Sequence, residues 1–163
     1  MFTLRATGKL ITRLKLNANL SPPRSTGLLG DWYANWHVMQ PNHLVMAVSE
    51  RSLLPVLVPA RDIAHVPERL RLAVGDVLRA LHVPEVQVVE ELSHMTEWTV
   101  AKTANRRVLG AMNDFSRALE SLVGRERNLL RVALALADTP SGPIGMESPG
   151  RATVELFASP VLH

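Results

Sequence analysis

Apolar residues alternate with polar ones in the first third of the chain, and this period of two is typical of half-buried β-strands. Three such runs follow one another between residues 31 and 58, separated by turn-forming residues such as those at 40–43. Because the links between them are short, we expect these runs to form an antiparallel meander. Pro55 lies in the third run and has no N–H group to donate, so that strand should lie at an edge of the sheet.

Ahead of the meander, residues 2–15 read as a short strand, a turn at Thr7 and Gly8, and an amphipathic helix. Residues 1–30 contain no acid, which superficially resembles an organelle transit peptide, but the strand and helix pattern favours a place in the fold. The segment 17–30 is rich in Pro, Ser and Asn, so we expect a mobile loop there.

From residue 61 the apolar spacing becomes that of amphipathic helices. One helix should have Pro67 in its first turn, and a shorter one should begin after Pro84. We expect their acidic residues, including the neighbours Glu90 and Glu91, on a solvent-exposed surface. Further helices are predicted near residues 128–137 and after Ser148.

The most regular pattern spans residues 97–124 and predicts a strand, a polar turn and a long amphipathic helix. Asn105 has a side chain suited to the N-cap of that helix, and Gly124 is a typical stop. The chain of 163 residues fits one domain. Over residues 1–163 we therefore predict a single α+β domain, with a mainly antiparallel sheet of four or five strands packed by helices from 61–137 and a tail at 159–163.

The composition excludes several classes of site. Cysteine is absent, which removes disulfides and thiolate metal sites and suits a cytoplasmic protein. No apolar run is long enough to span a membrane. The net charge is only +3, so the case for a nucleic-acid partner is weak, although basic residues concentrate in 1–30 and 102–131.

Common catalytic and cofactor motifs are missing from the sequence. It has no phosphate-binding P-loop, no GxGxxG, no HExxH and no GxSxG. The six histidines show no metal-ligand spacing, so we expect no metal and no cofactor. They are His37, His43, His65, His82, His94 and His163.

The start of the long helix is the first candidate site. A helix N-terminus with nearby cations attracts anions, so a phosphate, a carboxylate or an RNA backbone could bind there. Alternatively, Asn105 is only a cap and the arginines pair with the acidic helices of 61–97. The candidate anion-binding residues are Lys102, Thr103, Asn105, Arg106 and Arg107.

A second set of polar residues could be either a structural latch or a site. Asn113 and Asp114 should lie near the border of the apolar stripe, where an unpaired buried polar group costs roughly 1–3 kcal/mol. We expect them to bond to the strand at 31–35 or to the loop at 139–142. The strand candidates are Asp31, Tyr33 and Asn35.

Two tryptophans and the single tyrosine lie close together in the first strand of the meander. Such a cluster could stack on bases, as in single-strand binding proteins, or could be the heaviest part of the core. We favour the core for Trp32, Tyr33 and Trp36.

Three segments carry a resemblance to a known family: TGKL at 7–10, GDWYAN at 30–35 and NRRVLGAMNDF at 105–115. Together with DTPSGP at 138–143 they resemble an uncharacterised prokaryotic family of small domains of unknown function. The resemblance covers nearly the whole chain and implies a single bacterial α+β domain. It brings no activity, cofactor or partner.

Two functional hypotheses follow. The first is a non-enzymatic binding or protein-interaction module, which could self-associate, because no catalytic constellation is recognisable. The second is an anion- or RNA-binding domain using Lys102 to Arg107. A metal-independent nuclease at that position would need a general base, for which Asp114 and His37 are the candidates.

Overall fold

A computed structural model describes residues 1–39 and 42–159 as eleven helices and strands, with short 3₁₀ turns at Ile63–His65 and Gly142–Ile144. The predicted tail after Ser159 and the first two residues of the predicted turn at 40–43 lie outside the described residues. The strands are β1 (Phe2–Ala6), β2 (Trp32–His37), β3 (Leu44–Ser49), β4 (Pro55–Pro59) and β5 (Trp98–Lys102). The helices are α1 (Gly8–Leu14), α2 (Val66–Ala80), α3 (Glu85–Ser93), α4 (Arg106–Arg125), α5 (Leu129–Ala137) and α6 (Pro149–Ala158).

The five strands form one sheet in the order β4-β3-β2-β1-β5. The predicted α+β class is confirmed, as are the meander of β2, β3 and β4 and the edge position of the strand that holds Pro55. The antiparallel ladders hold most of the paired residues, but β1 lies between β2 and β5 and runs parallel to both. The carboxyl ends of β1, β2 and β5 therefore meet at one edge of the sheet.

The two faces of the sheet differ in chemistry. Cross-strand register places Leu4 beside Trp32 on one face and Arg5 beside Tyr33 on the other. We call the second one the polar face, defined by Thr3, Arg5, Tyr33, Asn35 and His37. Helix α1 lies on the first face, where the Arg13 guanidinium stacks 4.0 Å above the Trp36 ring.

Helix α4 packs on the polar face. The Asn105 N–H donates to the Tyr33 hydroxyl at 3.0 Å, and the Ser116 hydroxyl lies 3.5 Å from Nε2 of His37. Its apolar stripe is buried at Val108, Met112, Phe115 and Leu119, as predicted. Gly124 does not stop the helix, which continues to Arg125.

The aromatic cluster of β2 is core rather than a stacking platform. Trp32 is 1% exposed and Tyr33 is 2% exposed, so neither ring is free to receive a base. Trp36 is partly buried beneath Arg13.

One acidic residue contradicts the expected solvated surface of the helices. Glu91, on α3, is 3% exposed, and its carboxylate accepts the backbone N–H groups of Leu28 at 2.7 Å and Leu29 at 3.3 Å. Gly27 lets the loop come this close, because a Cβ there would collide with Glu91 Oε2. Burial raises the pKa of Glu91, while the two N–H groups oppose that rise. Its neighbour Glu90 is exposed as predicted.

The segment 17–30 has no helix or strand, as predicted, but it is bonded at several points to the sheet. The Asn19 N–H donates to the Val100 carbonyl at the β5 edge, and the Thr3 hydroxyl donates to the Pro23 carbonyl. The mobility of this loop stays a prediction. Within residues 1–39 and 42–159, no helix is long and apolar enough to cross a membrane.

Candidate functional site

A cluster of polar side chains lies on the polar face beside the first turn of α4. We call it the polar cluster, and its members are Arg5, Asp31, Tyr33, Glu50, Asn105 and Arg107. They come from β1, the start of β2, the turn after β3 and the start of α4, so residues distant in the sequence meet only once the sheet has formed.

Arg5 and Asp31 form the ion pair at the base of the cluster. Arg5 Nε donates to Asp31 Oδ2 at 2.8 Å, with only 22% and 12% of the two side chains exposed. The Ser25 hydroxyl donates to Asp31 Oδ1 at 2.6 Å, and Arg5 Nη1 donates to the Lys102 carbonyl at 2.9 Å. Asp31 is therefore satisfied within the fold, and Arg5 ties β2 to the end of β5.

Tyr33 stands next to Arg5 across the β1–β2 ladder. Its hydroxyl oxygen accepts the Asn105 N–H, and no acceptor for its own hydrogen is found in the described part of the chain. Burial raises the pKa of Tyr33, and the Asn105 N–H and the Arg5 charge partly offset that rise. The phenol is thus protonated at neutral pH and can donate a hydrogen bond.

Asn105 is the N-cap of α4, as predicted. Its Oδ1 accepts the N–H groups of Arg107 at 2.9 Å and Val108 at 3.3 Å. Two of the N–H groups that an anion would use at this helix start are therefore already occupied. Any anion held here needs side-chain donors as well.

The two arginines that open α4 have different roles. Arg107 donates to the Glu50 carbonyl at 3.1 Å and to the Pro143 carbonyl at 3.4 Å, so its guanidinium joins α4 to two other segments. Arg106 is exposed, as is Lys102, while Thr103 is partly buried. The junction is therefore latched on the Arg107 side and presents cations on the other. The Arg107 guanidinium therefore bonds to the backbone carbonyls of Glu50 and Pro143. In the described part of the chain it forms no pair with the acidic helices of 61–97.

Glu50 completes the cluster from the turn after β3. Its Oε2 accepts the Asp31 N–H at 3.0 Å. Gly30, with φ of +77°, brings the backbone close, since a Cβ there would lie 2.8 Å from the same oxygen. The positive φ favours glycine here, and a Cβ would also force the Glu50 carboxylate to shift.

Asn35 lies further along the polar face, where its Oδ1 accepts the Thr7 hydroxyl at 2.8 Å. All three segments that carry the family resemblance therefore contribute hydrogen bonds to this side of the sheet. Thr7 comes from the first, Asp31, Tyr33 and Asn35 from the second, and Asn105 from the third.

Asn113 and Asp114 do not belong to the site. Both are exposed, and Asp114 pairs with Arg117 one turn later on α4 at 3.8 Å. No hydrogen bond from either residue to the 31–35 strand or the 139–142 loop is found within residues 1–39 and 42–159. The expected latch fails because both side chains lie on the solvent side of the apolar stripe instead of its border.

His37 is also distant from the polar cluster. It lies four residues beyond Tyr33 on β2, or roughly 13 Å along the strand. Burial lowers the pKa of His37, and the Lys9 charge lowers it further. The imidazole is therefore neutral at pH 7, next to Ser116 rather than the basic helix start.

The sequence patterns did not identify Arg5, Ser25 and Glu50 as candidate site residues. The available signal was the alternation of β1, which puts Thr3 and Arg5 on the same face as the polar residues of β2 once the two strands are paired. In the described part of the chain, no group of three His, Asp or Glu residues could hold a metal ion.

Comparison with known proteins gives a family but no activity. Residues 3–152 match the family described as domain of unknown function DUF6933, and the chain belongs to that family. No curated protein and no solved structure matches the chain.

Proposed function

We propose that this DUF6933 domain is a non-enzymatic binding module, and that the polar cluster binds a carboxylate or phosphate group of its ligand. The observation that carries the proposal is the Tyr33 hydroxyl. Tyr33 is 2% exposed, yet the hydrogen of its hydroxyl has no acceptor in the described part of the chain. The hydroxyl oxygen already accepts the Asn105 N–H, so its remaining capacity is one O–H donor, and an acceptor oxygen of a ligand would use it.

Arg5 supports the same ligand chemistry. Its Nε and Nη1 are used by Asp31 and Lys102, whereas Nη2 makes no hydrogen bond within residues 1–39 and 42–159. Because Arg5 and Tyr33 are direct cross-strand neighbours, Arg5 Nη2 and the Tyr33 hydroxyl can donate to the same carboxylate or phosphate group. Guanidinium groups suit carboxylates and phosphates.

Lys102 and Arg106 would supply the long-range attraction. Both side chains are exposed beside the cluster, where they raise the local anion concentration in a salt-dependent way. The two acids of the cluster oppose an anion, since besides burial the charges of Glu50 and Asp31 both raise the pKa of Tyr33. Asp31 is paired with Arg5, however, which leaves Glu50 as the acid that the cations must outweigh.

Binding is favoured over the nuclease hypothesis because neither candidate base lies at the basic helix start. Asp114 is exposed and paired with Arg117, and His37 is on another part of β2. We further propose a bacterial cytoplasmic protein, with the family resemblance supporting the bacterial origin and the absence of cysteine supporting the location. Fractionation of cells expressing a tagged chromosomal copy tests that location.

Calorimetric titration with inorganic phosphate, citrate and a short single-stranded RNA tests the proposal. We expect binding of at least one small anion. Tyr33→Phe should weaken it about tenfold, as expected for a hydrogen bond to a charged group. Lys102→Ala/Arg106→Ala should weaken it and reduce its salt dependence.

Arg117→Ala is the matched control, since it removes an exposed α4 cation away from the cluster. Binding of RNA without either small anion would favour the nucleic-acid alternative, with a steep loss of affinity on adding salt. The proposal fails if the wild type binds nothing in the panel, or if Tyr33→Phe and the double variant bind like the control.

A further inference from the structure

We propose that a second copy of this chain docks on α2, forming a two-fold dimer in which the two α2 helices pack antiparallel. The surface is the α2 groove, defined by Arg69, Leu72, Ala73 and Asp76 on α2, Leu129 and Leu130 on α5, and the β4 edge. Its cavity volume is about 240 Å³. It lies away from the polar cluster, so this inference is independent of the proposed function.

Leu72 is the apolar side chain that a second copy would cover. Its side chain is 61% exposed at the rim of an apolar groove, whereas the neighbouring helix positions Leu70 and Val74 are at most 1% exposed. Removing an exposed leucine side chain from water is favourable. Two copies related by a two-fold axis would bury two such side chains.

The order of residues along α2 makes the surface complementary to itself. Arg69, Leu72, Ala73 and Asp76 all line the same groove, which places a cation and an anion at equal distances from a midpoint between Leu72 and Ala73. A two-fold axis at that midpoint sets Arg69 against Asp76 of the other copy, and Leu72 against Ala73. Each arginine then faces an aspartate and each leucine faces an alanine, so the surface is complementary to itself, as an isologous interface requires.

The two charges of the groove differ in how firmly the fold already holds them. Asp76 is 63% exposed and its contact with Arg79 is 3.9 Å long, which is a weak surface pair. Arg69 donates to the carbonyls of Pro59 and Arg61, which fixes its guanidinium at the groove with 24% of the side chain exposed. Its contact with Asp62, an exposed residue, is 3.4 Å.

The β4 edge does not offer a competing mode of docking by strand addition. Ser49 N–H bonds to the Leu54 carbonyl and Ala60 N–H bonds to the His43 carbonyl, so alternate residues of this strand face β3. The residues that face outward are then Pro55, Leu57 and Pro59, and the two prolines have no N–H to donate. An incoming strand would find a single donor, so packing of helices is the favoured contact.

Sedimentation velocity across a concentration series tests the dimer. We expect concentration-dependent dimers for the wild type and for Val86→Asp, a control at an 82% exposed position on α3. Leu72→Asp should sediment as a monomer, and Asp76→Arg should weaken the dimer at least about tenfold by facing Arg69 of the other copy.

Charge exchange tests the antiparallel register. Arg69→Glu and Asp76→Arg should each dimerise poorly alone but form a mixed dimer when combined, since the introduced carboxylate of one chain would then face the introduced guanidinium of the other across the axis. The double variant Arg69→Glu/Asp76→Arg, which needs only one folded chain, should recover self-association. A monomeric wild type at every concentration, or a Leu72→Asp variant that dimerises normally, overturns the proposal. Failure of both charge-exchange experiments to restore association overturns the register.

Discussion

Replacing Glu91 by alanine should destabilise the protein although its neighbour Glu90 tolerates the same change. Glu91→Ala removes the acceptor of two backbone N–H groups, those of Leu28 at 2.7 Å and Leu29 at 3.3 Å. Each unsatisfied buried donor costs roughly 1–3 kcal/mol. The longer bond should count near the lower limit, and removal of a buried carboxylate returns part of its desolvation cost. We expect a net loss of about 2 kcal/mol in the free energy of unfolding.

Urea unfolding at pH 7 measures this loss directly. Glu90→Ala is the control, because it has the same side chain and the same helix but a carboxylate that is 73% exposed. Surface substitutions of this kind usually change stability by less than about 0.5 kcal/mol. The reasoning is refuted if the two variants have the same midpoint and slope, or if Glu91→Ala lies within about 0.5 kcal/mol of the wild type.

Three further outcomes follow from the same structure. Because burial raises the pKa of Glu91 above its ordinary 4.5, the folded state binds its proton more tightly, and this stabilisation is present at low pH and lost as pH rises through the folded pKa. Urea unfolding at several pH values should therefore show that the free energy of unfolding of the wild type falls, relative to that of a Glu91→Gln variant, as the pH rises through this range. Asn105→Ala should lower the free energy of unfolding by about 1 kcal/mol, since it removes the cap of α4, whereas Asn113→Ala should not. The His37 ring should titrate below its ordinary pKa of 6.5 in an NMR pH series, and Lys9→Ala should move its pKa upward.

Local patterns were sufficient for the helices, the strands and the cap of α4. The alternation of β2 and β3, the 3.6-residue stripe of α4 and the Asn105 side chain each act over a few residues, so they are readable without knowing the rest of the fold. The position of β1 was not readable in this way. Its parallel pairing with β2 and β5 depends on which distant segments it meets, and the pattern of a single strand does not encode that choice.

Glu90 and Glu91 show the same limit at the level of side chains. They are adjacent and chemically identical, yet one is solvated and the other is buried against backbone groups 62 and 63 residues earlier in the chain. The candidate site shows the same limit of local sequence patterns. Tyr33 and Asn105 were each recognised as polar candidates, but their hydrogen bond spans 72 residues and could be found only in the folded chain. Arg5 was missed because its ion pair with Asp31 forms only once β1 and β2 have paired.

The most direct test of the binding proposal is an amide NMR titration of the wild type with inorganic phosphate and with citrate. A ligand oxygen at the Tyr33 hydroxyl and the Arg5 guanidinium would perturb the amide signals of Arg5, Tyr33 and Asn105, because the Asn105 N–H is itself bonded to the Tyr33 oxygen. We expect saturable shifts at these residues with both the Asn113 and Arg117 amides unchanged. Shifts confined to other surfaces, or no saturable shift with either anion, would contradict the account.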